Sequence, residues 1–142
     1  MKACFVDTNL FIRYLTNDDP AKANKVEELL NQAAAGKIRL VTAEIVLTEV
    51  VWVLESYYGL KKDQISSMVK AILATPGLEV INGKLLEKAV DYYLYRNVDF
   101  IDAYIVALME KLKISDIYSF DKKHLARINT INRISNVSFI VL

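Results

Sequence analysis

The chain has 142 residues, a length that fits one domain. Hydrophobic residues make up 54% and charged residues 25%, so a full core is available and disorder is not the default. Eighteen basic residues against seventeen acids leave a net charge of +1, a balance that on its face argues against a protein built to grip polyanions.

In chain order, Ala3-Cys4-Phe5-Val6 predicts a buried strand over residues 3–6. Asp7-Thr8-Asn9 and a short helix over 10–15 follow it. Asn17-Asp18-Asp19-Pro20 predicts a helix start, with acids at the positive end and proline in the first turn. That helix runs over 21–35, with Val26, Leu29, Leu30 and Ala33 on one face, and Gly36 ends it. A second strand is expected over 38–41. Thr42 is the expected cap of the next helix, which reaches about residue 57 and stops at Gly59. Its Ile45, Val46, Leu47, Val50, Val51, Trp52, Val53 and Leu54 are apolar almost all round, which predicts a buried helix.

An amphipathic helix over 63–74, closed by Pro76-Gly77, leads to a third strand over 78–81. Asn82 is the expected cap of a helix through 96. An apolar helix is expected over 100–113, a strand over 117–120 and a terminal strand over 137–142. Strands alternating with helices indicate an α/β fold with a mainly parallel central sheet flanked by helices, as one domain over 1–142.

Four scattered glycines, at 36, 59, 77 and 83, exclude a G-x-G-x-x-G turn or a P-loop. The lone Cys4 has no internal disulfide partner, reads as a small core residue and suits a reducing compartment. The apolar run before Asp7 is too short for a signal peptide, and no stretch approaches the roughly 18 apolar residues that span a bilayer. A soluble cytoplasmic chain with no membrane role is the expectation.

The chemically informative residues are acids that interrupt apolar segments. Asp7 and Asp121 each directly follow a predicted strand, and ligands of open parallel sheets bind outside the carboxyl ends of strands. A helix cap explains Asp7 equally well, and a turn acid explains Asp121. Glu49 is flanked on its helix by Ile45, Val46, Trp52 and Val53, so it is either desolvated beside a cation or faces a polar pocket or metal. Glu44 in the first turn and Glu55 near the exposed end of the helix do not share this problem. Asp102 is the only charge between Phe100 and Met109, and Asp99 lies one turn before it; an N-terminal capping pair is the plain alternative.

Two unpaired carboxylates about 4 Å apart would repel by up to about 4 kcal/mol at an effective dielectric near 20. No cluster of Arg or His stands beside these acids in the sequence. A hard divalent cation such as Mg²⁺ or Mn²⁺ is the natural counter-charge, whereas one cysteine and one histidine argue against zinc.

Val6-Asp7-Thr8-Asn9, Thr48-Glu49, Asp102-Ala103 and Ser119-Phe120-Asp121, with steps of 42, 53 and 19 residues between the acids, resemble the PIN domain, in particular the compact VapC-type toxins. The resemblance covers essentially the whole chain. Lys122-Lys123-His124-Leu125 departs from it, since an aromatic often follows the fourth acid in the family. The resemblance implies that Asp7, Glu49, Asp102 and Asp121 are the catalytic, metal-holding acids. It leaves Asp99 auxiliary and makes Thr8, Asn9 and Ser119 hydrogen-bond donors that support them.

What the resemblance implies as activity is a Mg²⁺/Mn²⁺-dependent endoribonuclease, the toxin of a type II toxin–antitoxin pair. Its partners would be an RNA substrate and a cognate antitoxin whose basic side chain plugs the acidic site, and it would act as a homodimer. A PIN-fold RNA-processing nuclease without antitoxin and a Mg²⁺-binding phospho-acceptor regulatory domain are the competing readings. Against the last, Asn9 stands where haloacid-type phosphatases want a second aspartate, and the third strand ends in Ile81-Asn82 rather than an acceptor aspartate. Lys111 to Arg133 holds six Lys/Arg against two Asp, either an ordinary solvated face or a phosphate contact. His124 reads as a surface or capping residue rather than a general acid. Trp52, Tyr57, Tyr58, Tyr92, Tyr93 and Tyr95 read as core and interface residues rather than base-stacking platforms.

Overall fold

The structure, a computed structural model, describes residues 1–120 and 123–134. Its elements run β1 (Ala3–Phe5), α1 (Thr8–Thr16), α2 (Pro20–Ala34), β2 (Arg39–Ala43), α3 (Glu44–Ser56), α4 (Lys62–Leu73), β3 (Leu78–Ile81), α5 (Gly83–Tyr95), α6 (Phe100–Lys111), β4 (Asp116–Tyr118) and β5 (Asn132–Ile134). A 3-10 turn, Leu125–Arg127, lies between the last two strands. Among the described residues there are thus six α-helices. β1, β2 and β3 form one parallel sheet with β2 in the centre. Parallel neighbours need crossovers, which α1 with α2 and α3 with α4 provide.

Local chemistry sets several of these boundaries. Asp19 caps α2 by accepting from the Lys22 amide at 3.2 Å, and Pro20 occupies the first helical position. Gly77 carries the chain from the end of α4 into β3 with φ +78°, pressed against α2; a Cβ there would lie 2.3 Å from the carbonyl oxygen of Ala33. α6 closes on Lys113, which takes φ 58°, while the Ile114 amide donates to Met109 O at 2.9 Å.

The expected α/β architecture is what the structure has, with corrections of detail. Thr42 caps no helix: it lies in β2, completely buried, and α3 begins at Glu44 without a side-chain cap. Asn82 does precede α5, but with left-handed φ 58° and no capping bond; its amide Nδ2 donates to Glu44 Oε2 at 3.1 Å instead. The strand expected over 117–120 is β4, Asp116–Tyr118, and it pairs in parallel with β5 rather than with the central sheet. β5 was not anticipated, and the strand expected over 137–142 lies outside the described residues. Cys4 is only partly buried.

The core gathers Leu40 from the central strand, Leu47, Val50 and Leu54 from α3, Ile65 and Val69 from α4, Leu86 and Val90 from α5, and Val106 from α6, all fully buried. α5 and α6 are also joined by a polar latch. Glu110 on α6 accepts from the Tyr92 hydroxyl and pairs with Lys88, both on α5. Burial alone would raise the Glu110 carboxyl, but Lys88 and Tyr92 outweigh it and hold it below the ordinary carboxylate range. A depressed native pKa contributes stability above the unfolded carboxyl pKa, lost as pH falls through the native one. Glu110→Gln is therefore expected to cost about 2 kcal/mol at neutral pH. In urea titrations at a series of pH values, that difference should vanish on acidification.

Candidate functional site

Because the three strands are parallel, their carboxyl ends share one edge of the sheet. Asp7 leaves β1 there, Glu44 leaves β2 and Asn82 leaves β3. Two bonds tie the β1 end to its neighbour: the Val6 amide donates to Val41 O at 2.8 Å, and the buried Thr42 hydroxyl donates to Val6 O at 2.9 Å. Asp7 is then the N-cap of α1, its Oδ1 accepting from the Thr8 amide at 2.7 Å. The cap and the site reading are thus compatible, since Oδ2 and the exposed face of Asp7 remain for other work. Thr8 is buried, and Asn9 is exposed and lines a groove with Leu10, Arg13 and Val26 between α1 and α2.

Glu49 corrects the expectation of a buried α3. The helix buries Val46, Leu47, Val50, Val51 and Leu54 on one side only. Ile45, Glu49, Trp52 and Ser56 form its opposite, exposed stripe, with Ile45 at 75% and Trp52 at 66%. Glu49 is therefore not desolvated; it stands on an open face. Trp52, Tyr57 and Tyr95 do not belong to the core, whereas Tyr93 does. α3 packs against both α1 and α6, so Asp7, Glu49 and Asp102 sit on three contiguous elements.

At the start of α6, Asp99 occupies the N-cap position without a side-chain capping bond, and Asp102 lies in the first turn. Asp102 is half-buried, and its Oδ2 meets Nδ1 of His124 at 3.3 Å. His124 is thus an acid partner rather than a plain surface residue. Asp99 lines a cavity of about 300 Å³ with Glu55, Lys62, Arg127 and the same His124. Glu55 is half-buried here, not at an exposed helix end. Burial, and next the charge of Asp99, push its carboxyl up, against the pull of Lys62. Sequence reasoning missed this Glu55–Lys62–Arg127 group.

Ser119 follows β4, its amide donating to Ile134 O at 3.1 Å and its carbonyl accepting from Arg133 at 3.1 Å. Asp121 lies outside the described residues. Among the described residues, no three His, Cys, Asp or Glu side chains lie close enough together to hold a metal ion. The donor chemistry still fits a hard divalent cation, because Asp7, Glu49 and Asp102 offer exposed or half-exposed carboxylate oxygens. Mg²⁺ is commonly held by one or two carboxylates, with waters completing its shell.

The PIN domain pattern matches residues 4–130. The chain belongs to the PIN domain family. Similar solved structures include VapC20 of Mycobacterium tuberculosis, described as a toxin that cleaves the sarcin–ricin loop: it is 24% identical, with 86% of this chain and 92% of that one covered and a TM-score of 0.40. VapBC2 of Rickettsia felis, bound to a DNA fragment from their promoter, is 16% identical, with 94% and 98% covered and a TM-score of 0.38. Among curated proteins none matches. Among the described residues, no helix of this PIN-domain chain is long and apolar enough to cross a membrane.

The Thr42 hydroxyl that anchors the β1 end gives a test of how Asp7 is held. Thr42→Val keeps the shape but leaves the Val6 carbonyl without that donor in a buried setting, which should cost about 1–3 kcal/mol. Denaturant unfolding should show this loss, and amide exchange at Thr8 should quicken.

Proposed function

We propose that this PIN-domain protein is a Mg²⁺/Mn²⁺-dependent endoribonuclease and the toxin of a type II toxin–antitoxin pair. The observation that carries the reading is the placement of three acids of the family pattern on contiguous, accessible elements: Asp7 at the end of β1, Glu49 on the open stripe of α3, and Asp102 in the first turn of α6. Asp121, the fourth acid of the resemblance, completes the proposed set, and Asp99 serves as an auxiliary.

When bound, Mg²⁺ or Mn²⁺ lowers the pKa of its water and neutralises charge on the phosphoryl oxygens. The residues of the chain do the rest. One or two of Asp7, Glu49 and Asp102, together with waters, would hold the cation; the Thr8 amide fixes Asp7 so that its second oxygen stays oriented. Thr8, Asn9 and Ser119 support the acids. Lys123 and Arg127, beside Asp102 and its partner His124, supply positive charge for the RNA backbone. Water attacks phosphorus in line and gives up a proton to solvent, the bond from phosphorus to the 3′-oxygen breaks, and that oxygen takes a proton from solvent, leaving a 3′-hydroxyl and a 5′-phosphate. A cognate antitoxin silences the enzyme by placing a basic side chain among the same acids, and two copies of the chain form the working homodimer.

Wild type is expected to cut single-stranded RNA in Mn²⁺ and to stop on chelation. Asp7→Asn and Asp102→Asn should each lower kcat by about a hundredfold or more. Equal cleavage by all three proteins would remove the site assignment. Mn²⁺ at about a hundred times its Kd should stabilise the wild type by roughly 2.7 kcal/mol, and the Asp102→Asn variant by much less. Thermal unfolding with and without the ion reads this directly. Labelling by a small phosphodonor, in place of cleavage, would favour the phospho-acceptor domain.

A further inference from the structure

Lys62 is the first residue of α4, a position where the helix dipole disfavours a cation. It is held there by partners from outside its own helix. Its Nζ donates to Val98 O at 2.7 Å and to Tyr93 O at 3.4 Å, and lies 4.1 Å from the centroid of the Tyr93 ring. Tyr93 O is one of the last carbonyls of α5, left without a helical partner, so Lys62 acts as a C-terminal cap for that helix. Val98 lies in the connection from α5 to α6 and is fully buried. Arg127 grips the same connection by donating to Asn97 O. The Tyr93 ring, with Lys62 over it, also meets Phe100, the first residue of α6, edge-to-face at 5.5 Å.

Two carboxylates, Glu55 of α3 and Asp99 of the connection, supply the opposing charge, and Arg127 the like one. Burial is the main reason the Lys62 ammonium is easier to deprotonate than usual, while Glu55 and Asp99 pull the other way. A half-buried cation with two carbonyls, a ring face and two acids around it is restrained in a way an exposed lysine is not.

We propose that Lys62 is a positioning residue that fixes the four-residue connection between α5 and α6, and through it the acidic start of α6 from which Asp99 and Asp102 project. The proposal rests on the nuclease reading for its catalytic consequence, but the restraint itself does not. The role assigned to Lys62 runs through the backbone carbonyls of Tyr93 and Val98. Removing it frees the connection and scatters the two acids over several orientations, which lowers the fraction of molecules with a competent site.

The test compares wild type with Lys62→Met, Lys62→Arg and Lys61→Met, a control on the exposed neighbour. Hydrogen exchange is followed over residues 96–103 and over the central sheet, and RNA cleavage in Mn²⁺ is resolved into kcat and KM. Lys62→Met should quicken exchange over 96–103 by about tenfold or more, with the sheet unchanged. Its kcat should fall about tenfold while KM stays within about twofold. Lys62→Arg should restore most of both, and Lys61→Met should change neither. Lys62→Gln, which keeps a donor but not the charge, carries the same expectation should Lys62→Met not fold. Unchanged exchange over 96–103, unchanged kcat, or a loss confined to KM would overturn the proposal. A wild type inert on RNA in Mn²⁺ would instead overturn the nuclease reading, and the exchange arm alone would then decide whether Lys62 restrains the connection.

Discussion

Parallel strands cannot be joined by tight turns, so each must be left and re-entered through helices on the same side of the strand direction. In this chain that constraint sends β1, β2 and β3 out of the sheet at one edge and makes every residue that follows a strand a neighbour there. Asp7, Glu44 and Asn82 come together for this reason and not because of any affinity among them. The hydrogen bonds at that edge follow: Thr42 to Val6, Thr8 to Asp7, Asn82 to Glu44. α3 starts at the same edge and packs on both α1 and α6, which puts the elements that carry Asp7, Glu49 and Asp102 in contact through α3.

The start of α6 is where charge is concentrated and balanced. Asp102 has His124 beside it, while Asp99 faces Glu55 across a small cavity with Lys62 and Arg127. Glu55 is pushed up, first by burial and then by Asp99, so this corner is under electrostatic load even with its cations in place. Burial first, and then Glu55 and Asp99, raise the Tyr93 hydroxyl well above its ordinary range in the same corner. Groups shifted by burial and neighbouring charge cluster at functional sites, and structural ion-pair networks shift them as well. A divalent cation at Asp102 would act in the same sense as the lysine and arginine, which are already there.

Much of the fold was legible because its signals are local. The alternation of short apolar runs with helical stretches, Pro20 after Asp19 and the run Leu78–Ile81 each read correctly from neighbouring residues. The misreadings concern what lies across from a residue. Eight apolar residues in α3 cannot reveal that one side is uncovered, so Glu49 looked desolvated when it is exposed, and Trp52 looked buried. Thr42 carries the side chain of a helix cap and spends it on a neighbouring strand. Residues 117–120 read as a strand, but nothing local shows that this segment, β4 at 116–118, pairs with residues 132–134. The Lys62 group was invisible for the same reason: its members come from α3, α4, the connection before α6 and the 3-10 turn. The proposed site acids were singled out because they interrupt apolar segments and because their order and spacing resemble the PIN-domain pattern.

The near-neutral composition also changes its meaning. Four of the seventeen acids belong to the proposed metal site, which leaves the remaining surface basic and removes the objection to an RNA partner. The central claim is that acids from β1 and α6 work on one cation and one phosphodiester, and a double-mutant cycle on kcat for RNA cleavage tests it most directly. If Asp7 and Asp102 act as a unit, the Asp7→Asn, Asp102→Asn double variant will fall no more than about threefold below the worse single variant. Losses that multiply would contradict a shared site.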